Sequence, residues 1–167
     1  RLVEELSRRR LHSVFYLTGS PPFEADAPFW SRGSDQYPPK DPQRYASRIA
    51  SLAKRYAAVD AWQIWNEPNL PYNWLPRADP AAYEVLLKDS TEAIRAAAPD
   101  RTVAMGGRGY FSQMPLRSGR MLEELGKRGA FALHDVVAYH PYSLYPEGDD
   151  PQARYFIERC RKMNTRL

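Results

Sequence analysis

An α/β architecture, a parallel sheet covered by helices, follows from three features of these 167 residues. Short apolar runs rich in β-branched and aromatic residues alternate with longer amphipathic segments. The units recur every roughly 30 to 50 residues, enough for a strand, a loop and a crossover helix. Three Asp-Pro pairs, beginning at Asp41, Asp79 and Asp150, each open an amphipathic segment. Asp there suits the N-cap and Pro the first helical position. Strict alternation implies parallel strands, which leaves an open doubly wound sheet or a (β/α)8 barrel.

The first helix is expected over Leu2 to Arg10, with Leu2, Val3 and Leu6 on one face. A strand follows at His12 to Thr18 and stops at Gly19-Ser20-Pro21-Pro22. The stretch from Phe23 to Lys40 carries Trp30 and is too long for a plain connection, so it is read as functional or partly mobile. After Asp41, the residues Tyr45, Ile49, Leu52, Ala53 and Tyr56 recur at helical spacing. The second strand is Ala61 to Asn66. Asp79 opens a helix whose apolar face is Tyr83, Leu86, Leu87, Ile94 and Ala97, ended by Pro99. The third strand, Thr102 to Gly106, runs into Gly107-Arg108-Gly109, read as a tight turn at the strand end. A shorter helix is expected from about Gly119 to Lys127, and a fourth strand from Asp135 to His140. Asp150 opens the last helix, with Phe156, Ile157, Cys160 and Met163 inward.

Composition excludes several classes. Hydrophobic residues at 43% and charged residues at 26% describe a globular chain and not a disordered one. No apolar run approaches the roughly 18 residues of a membrane-spanning helix. Cys160 is the single cysteine, so there is no internal disulfide framework and no cysteine-rich zinc site. His12, His134 and His140 form no close pair, so neither a metal site nor a cofactor is implied. The net charge is only +4, and the one dense basic cluster, Arg8-Arg9-Arg10, falls at a helix end, where the dipole favours cations. A nucleic-acid partner would need a basic stripe with interleaved aromatics. The first strand is followed by no glycine-rich phosphate loop, and Gly106-Gly107-Arg108-Gly109 lacks the dinucleotide-binding spacing.

Chemistry-bearing residues crowd the C-terminal ends of the strands. The second strand ends Trp62-Gln63-Ile64-Trp65-Asn66-Glu67-Pro68-Asn69, and the fourth ends Ala138-Tyr139-His140-Pro141-Tyr142. In a barrel that face builds the active site. A carboxyl group, an amide, a histidine and aromatic rings converging there suit a carbohydrate substrate. Rings stack on sugar faces, amides and imidazoles bind hydroxyls, and a carboxyl group handles the proton of the glycosidic oxygen. A regular strand would point Asn66 and Glu67 to opposite faces, so both reach one site only if the strand breaks or bulges, with Pro68 as its stop. His140 and Tyr142 share strand parity and would line one pocket. Trp62 and Trp65 read as packing residues, of which only one can face a barrel interior. Trp30, Trp74 and Tyr110 are candidate sugar platforms on loops.

Trp65-Asn66-Glu67-Pro68-Asn69 resembles the Asn-Glu-Pro strand end of the clan A glycoside hydrolases. Together with Asp135-Val-Val-Ala-Tyr-His-Pro-Tyr142 it is most similar to glycoside hydrolase family 39 and its bacterial relatives. The resemblance implies a (β/α)8 barrel and retaining hydrolysis of O-glycosidic bonds. Within it, Glu67 matches the general acid/base and Asn66 the asparagine that binds the sugar 2-hydroxyl. It also implies that residues 1–167 are one incomplete catalytic domain, approximately strands three to six of a barrel that needs about 250 residues. The nucleophile, about 5 to 5.5 Å from the acid/base in a retaining enzyme, would then follow Leu167. Glu147 and Asp149 sit in a Pro-Glu-Gly-Asp-Asp-Pro turn and are not read as that group. On this reading the chain alone is inactive, with unpaired strand edges that favour self-association. Export of the parent protein is expected by analogy. The alternative reading is a carbohydrate-binding barrel that has lost catalysis.

Overall fold

The computed structural model describes residues 1–31, 33–110 and 117–141, together with Glu158 and Arg161. Eight elements alternate along it: α1 (Leu2–Arg8), β1 (Val14–Leu17), α2 (Pro42–Arg55), β2 (Ala61–Asn66), α3 (Pro80–Ala97), β3 (Thr102–Tyr110), α4 (Arg117–Lys127) and β4 (Val136–Pro141). The four strands form one sheet in the order β1-β2-β3-β4, and every pairing is parallel. Sequential order with a helix between each pair of neighbours is the arrangement of a (β/α)8 barrel, of which this is a part. A doubly wound sheet reverses its strand order at a switch point, and among the described residues the four strands show no reversal.

The long helices begin where their Asp-Pro pairs require. Asp41 accepts from the main-chain N–H groups of Gln43 and Arg44 at 3.0 and 3.2 Å. Asp79 accepts from those of Ala81 and Ala82 at 2.9 and 3.0 Å. Each cap satisfies donors that the first helical turn leaves without partners. Asp60 does comparable work outside a helix: its carboxylate accepts from the Ser13 N–H at 2.8 Å and contacts His12. Those contacts, the Ser13 N–H first, hold its carboxyl below the usual carboxylate range.

Register divides the sheet into two faces. One carries the row Phe15, Trp62 and Val103 and the row Leu17, Ile64, Met105 and Val137. These pack with Ile49 of α2, Leu86 and Ile94 of α3, and Met121 and Leu125 of α4. Burying each such side chain contributes about 1.5–3 kcal/mol. The other face carries Tyr16, Gln63, Ala104 and Val136 in one row. Here Val14, Tyr16 and Val136 remain 61%, 55% and 47% exposed. In a closed barrel this is the face turned inward.

Two expectations are corrected. Gly106 to Gly109 is no turn, because β3 runs through it to Tyr110. Met105 pairs with Val137 but Arg108 with Tyr139, so β3 carries one residue more than β4, a bulge at Gly106-Gly107. Leu2 is 67% exposed, leaving Val3 as the buried residue of α1. The stretch after β1, expected to be more than a plain connection, is tied down by its own contacts. Ala25 bridges Pro39, the Asp26 N–H donates to the Pro38 carbonyl at 2.8 Å, and the Lys40 N–H donates to the Glu24 carbonyl at 2.8 Å. The buried Glu24 carboxylate is paired with Arg44 at 3.3 Å and with Arg48, both on α2. Phe156, Ile157, Cys160 and Met163, with Tyr142, Glu147 and Asp149, lie outside the described residues.

Candidate active site

The strand that bears Glu67 breaks in a particular way. Trp65 and Glu67 both adopt left-handed backbone conformations, with φ of 65° and 44°. Neither residue type favours that region, and each instance costs of order 1–3 kcal/mol. Buried groups hold the distortion. The Trp65 N–H donates to the Tyr45 hydroxyl at 3.1 Å, and that hydroxyl donates to the Leu17 carbonyl at 2.6 Å. Burial pushes the Tyr45 phenol up, so it stays neutral and can both give and accept these bonds. The Trp65 ring lies against Tyr45 and meets Trp74 edge-on, with centroids 5.9 and 5.5 Å apart. The Gln63 side-chain amide donates to the Trp65 carbonyl at 2.9 Å. Trp62 belongs to the helix-facing row and Trp65 turns toward Tyr45 of α2, so both rings serve as packing.

Past the break, the Glu67 N–H donates to the Gly107 carbonyl at 2.8 Å, and the Glu67 carbonyl accepts from Leu70 N–H at 3.0 Å. The carboxyl group is buried, at 7% exposure for the residue. Its Oε1 lies 3.0 Å from His140 Nδ1, and its Oε2 accepts from Asn73 Nδ2 at 3.0 Å. His140 lies near the end of β4, on the same face as Val136 by strand alternation. Either the imidazole N–H donates to a carboxylate or a protonated carboxyl donates to the bare ring nitrogen, so the pair can hold one proton in two places.

The glycine pair makes this geometry possible. A methyl group at Gly107 would overlap the His140 ring. One at Gly106 would lie 2.6 Å from the Ile64 carbonyl and 2.8 Å from the Tyr83 hydroxyl. That hydroxyl accepts from the Gly106 N–H at 2.6 Å and donates to the Ile64 carbonyl at 2.9 Å, joining α3 to β2 and β3. The bulge and the missing side chains together let His140 lie over β3 and reach Glu67.

The structure brings Glu67 and His140 together across β3. Asn66 is half-buried at the end of β2 and pairs with Gly107. Trp74 does not stand open on a loop as expected. It is 2% exposed and packs edge-on against Trp65 and Tyr83, which leaves no ring face for a sugar. Trp30 is 72% exposed and meets Phe29 edge-on at 4.8 Å, in the segment that follows β1. Tyr110 ends β3 with its backbone paired to Pro141. Sequence reasoning missed Asn73 and Gly107. The one available signal for Asn73 was the density of amides after Glu67, at Asn69 and Asn73. Among the described residues, no group of three or more His, Cys, Asp or Glu side chains could hold a metal ion, and no helix is long and apolar enough to cross a membrane.

Parallel strands in barrel order, with a carboxyl group at a strand's C-terminal end, define the class as a (β/α)8-barrel protein. Solved structures make the likeness more particular. The chain superposes on the GH39 enzyme from Xanthomonas axonopodis pv. citri with a TM-score of 0.54 and 19% identity, over 97% of this chain and 35% of that one. It matches a GH39 β-xylosidase from Caulobacter crescentus with a TM-score of 0.52 and 20% identity, over 94% of this chain and 36% of the other. The chain thus has the fold of these glycoside hydrolase family 39 structures and spans about a third of their length. No protein-family model matches the sequence, and no curated protein matches it significantly.

Proposed function

We propose that this chain forms the central part of a retaining glycoside hydrolase, with Glu67 as the general acid/base. What supports the reading is a buried carboxyl group at the C-terminal end of a parallel strand, within 3.0 Å of a histidine from two strands away. Protonated, Glu67 would donate to the glycosidic oxygen as the bond to the anomeric carbon breaks. Ionised, it would take a proton from the water that releases the sugar from the nucleophile. That nucleophile is a second carboxylate in a segment following Leu167. Asn66 binds the sugar 2-hydroxyl. His140, Tyr142 and Tyr110 bind further hydroxyls, and Trp30 offers a ring to a sugar face. The activity named for the Caulobacter crescentus structure makes a β-xyloside the first substrate to test.

The test is Glu67→Gln in the complete protein, assayed on aryl glycosides of graded leaving-group ability. Loss of a general acid slows substrates with poor leaving groups by about 10²–10⁴-fold, and activated ones far less. Equal loss on both would remove Glu67 from the role. Sugar binding with no hydrolysis in the unaltered protein would favour the non-catalytic alternative.

A further inference from the structure

The loop between β2 and α3 brings a residue to this site whose part is still open. Asn73 is gripped from two directions. Its side-chain Nδ2 donates to Glu67 Oε2 at 3.0 Å, while its main-chain carbonyl accepts from Trp65 Nε1 at 2.8 Å. Its own N–H donates to the Leu70 carbonyl at 3.0 Å. Trp65 is in turn fixed by Tyr45 and Trp74. The buried aromatic cluster that holds the strained strand end therefore also fixes where the Asn73 amide points.

The two oxygens of Glu67 face different partners. Oε2 faces an amide NH₂, which donates and does not accept. Oε1 faces His140 Nδ1, which can do either. A proton on Oε2 aimed at the amide would meet another N–H, whereas one on Oε1 meets an acceptor. Gly107 of β3 contributes no side chain here, and the Tyr83 hydroxyl of α3 bonds the Ile64 carbonyl and the Gly106 N–H. His140 Nδ1 can donate or accept, so its influence depends on where the shared proton lies. The Asn73 amide does not titrate and acts at every pH.

We propose that Asn73 is a positioning residue that keeps Glu67 Oε2 free of the proton and confines the transferable proton to Oε1, on the His140 side. Its catalytic meaning rests on the reading of Glu67 as the general acid/base.

The test follows the side-chain amide of Asn73 by NMR in the full chain, with selective ¹⁵N-asparagine labelling, from about pH 3 to 8. The amide protons should shift as Glu67 ionises, and the response should vanish in Glu67→Gln. A pH-independent amide overturns the proposal without any variant of Asn73. In the complete protein, Asn73→Ala withdraws a donor from the ionised carboxylate, and Asn73→Asp replaces it with a like charge of the same shape. The alkaline limb of the kcat/KM profile should move up by about one pH unit and about two pH units respectively. An unmoved limb in both, with the proteins folded, also overturns the proposal. The two readings fail separately. A silent amide with Glu67-dependent cleavage removes Asn73 alone. A responsive amide with no glycoside cleaved removes the acid/base reading and the catalytic meaning of the contact.

Discussion

The two halves of β2 obey different rules. From Ala61 to Ile64 the strand keeps regular register with both neighbours, and Trp62 and Ile64 sit in an apolar layer against the helices. From Trp65 to Glu67 two of three residues are left-handed, and the neighbouring strand bulges at Gly106-Gly107. The first half gains stability from burial and from regular pairing with both neighbours. The second half is held in an unfavourable backbone shape by the Tyr45 hydroxyl, the Trp74 ring and the Asn73 carbonyl. Strain placed next to a buried carboxyl group is a mark of a functional site, and the contrast separates residues that hold the fold from residues that hold the site.

Three substitutions sharpen that contrast. Ile64→Ala strikes the regular half, where the side chain is fully buried, and should cost about 2–5 kcal/mol in denaturant unfolding. The geometry at Glu67 should survive in whatever fraction stays folded. Gly107→Ala strikes the β3 residue that pairs with the other half at Asn66. It should cost about 1–3 kcal/mol through overpacking and push His140 off Glu67. If the complete protein is the proposed hydrolase, its signature there is activity lost beyond what unfolding explains, and an unchanged rate would mean that the His140 contact is dispensable. Asp79→Ala touches neither half. Removing the α3 cap should lower stability by about 1 kcal/mol and leave the rate per folded molecule unaltered. A change in rate there would show that the two regions are coupled through α3.

The limits of sequence reading follow the same boundary. The bounds of β2 and the starts of α2 and α3 agree with the pattern because their causes are local: a short apolar run stopped at Pro68, an Asp cap and Pro at the first helical position. The end of β3 was misread because glycines there signal a turn by propensity. In the structure Gly107 makes room for a histidine 33 positions away in the chain, and Gly106 for the Tyr83 hydroxyl. Trp74, a candidate platform because it falls on a loop, proves to be a packing residue because Trp65 and Tyr83 enclose it.

Local chemistry in the sequence therefore determined the order of the eight described elements, the starts of α2 and α3, and Glu67 as the residue to examine. It also required that the strand deform if Asn66 and Glu67 were to share a site. Tertiary structure alone decided how the deformation is held, that His140 and Asn73 take the two oxygens of Glu67, and that Gly106-Gly107 is a bulge. Those outcomes depend on contacts between residues far apart in the chain, whose energies exist only once β2, β3, β4 and their helices are packed together.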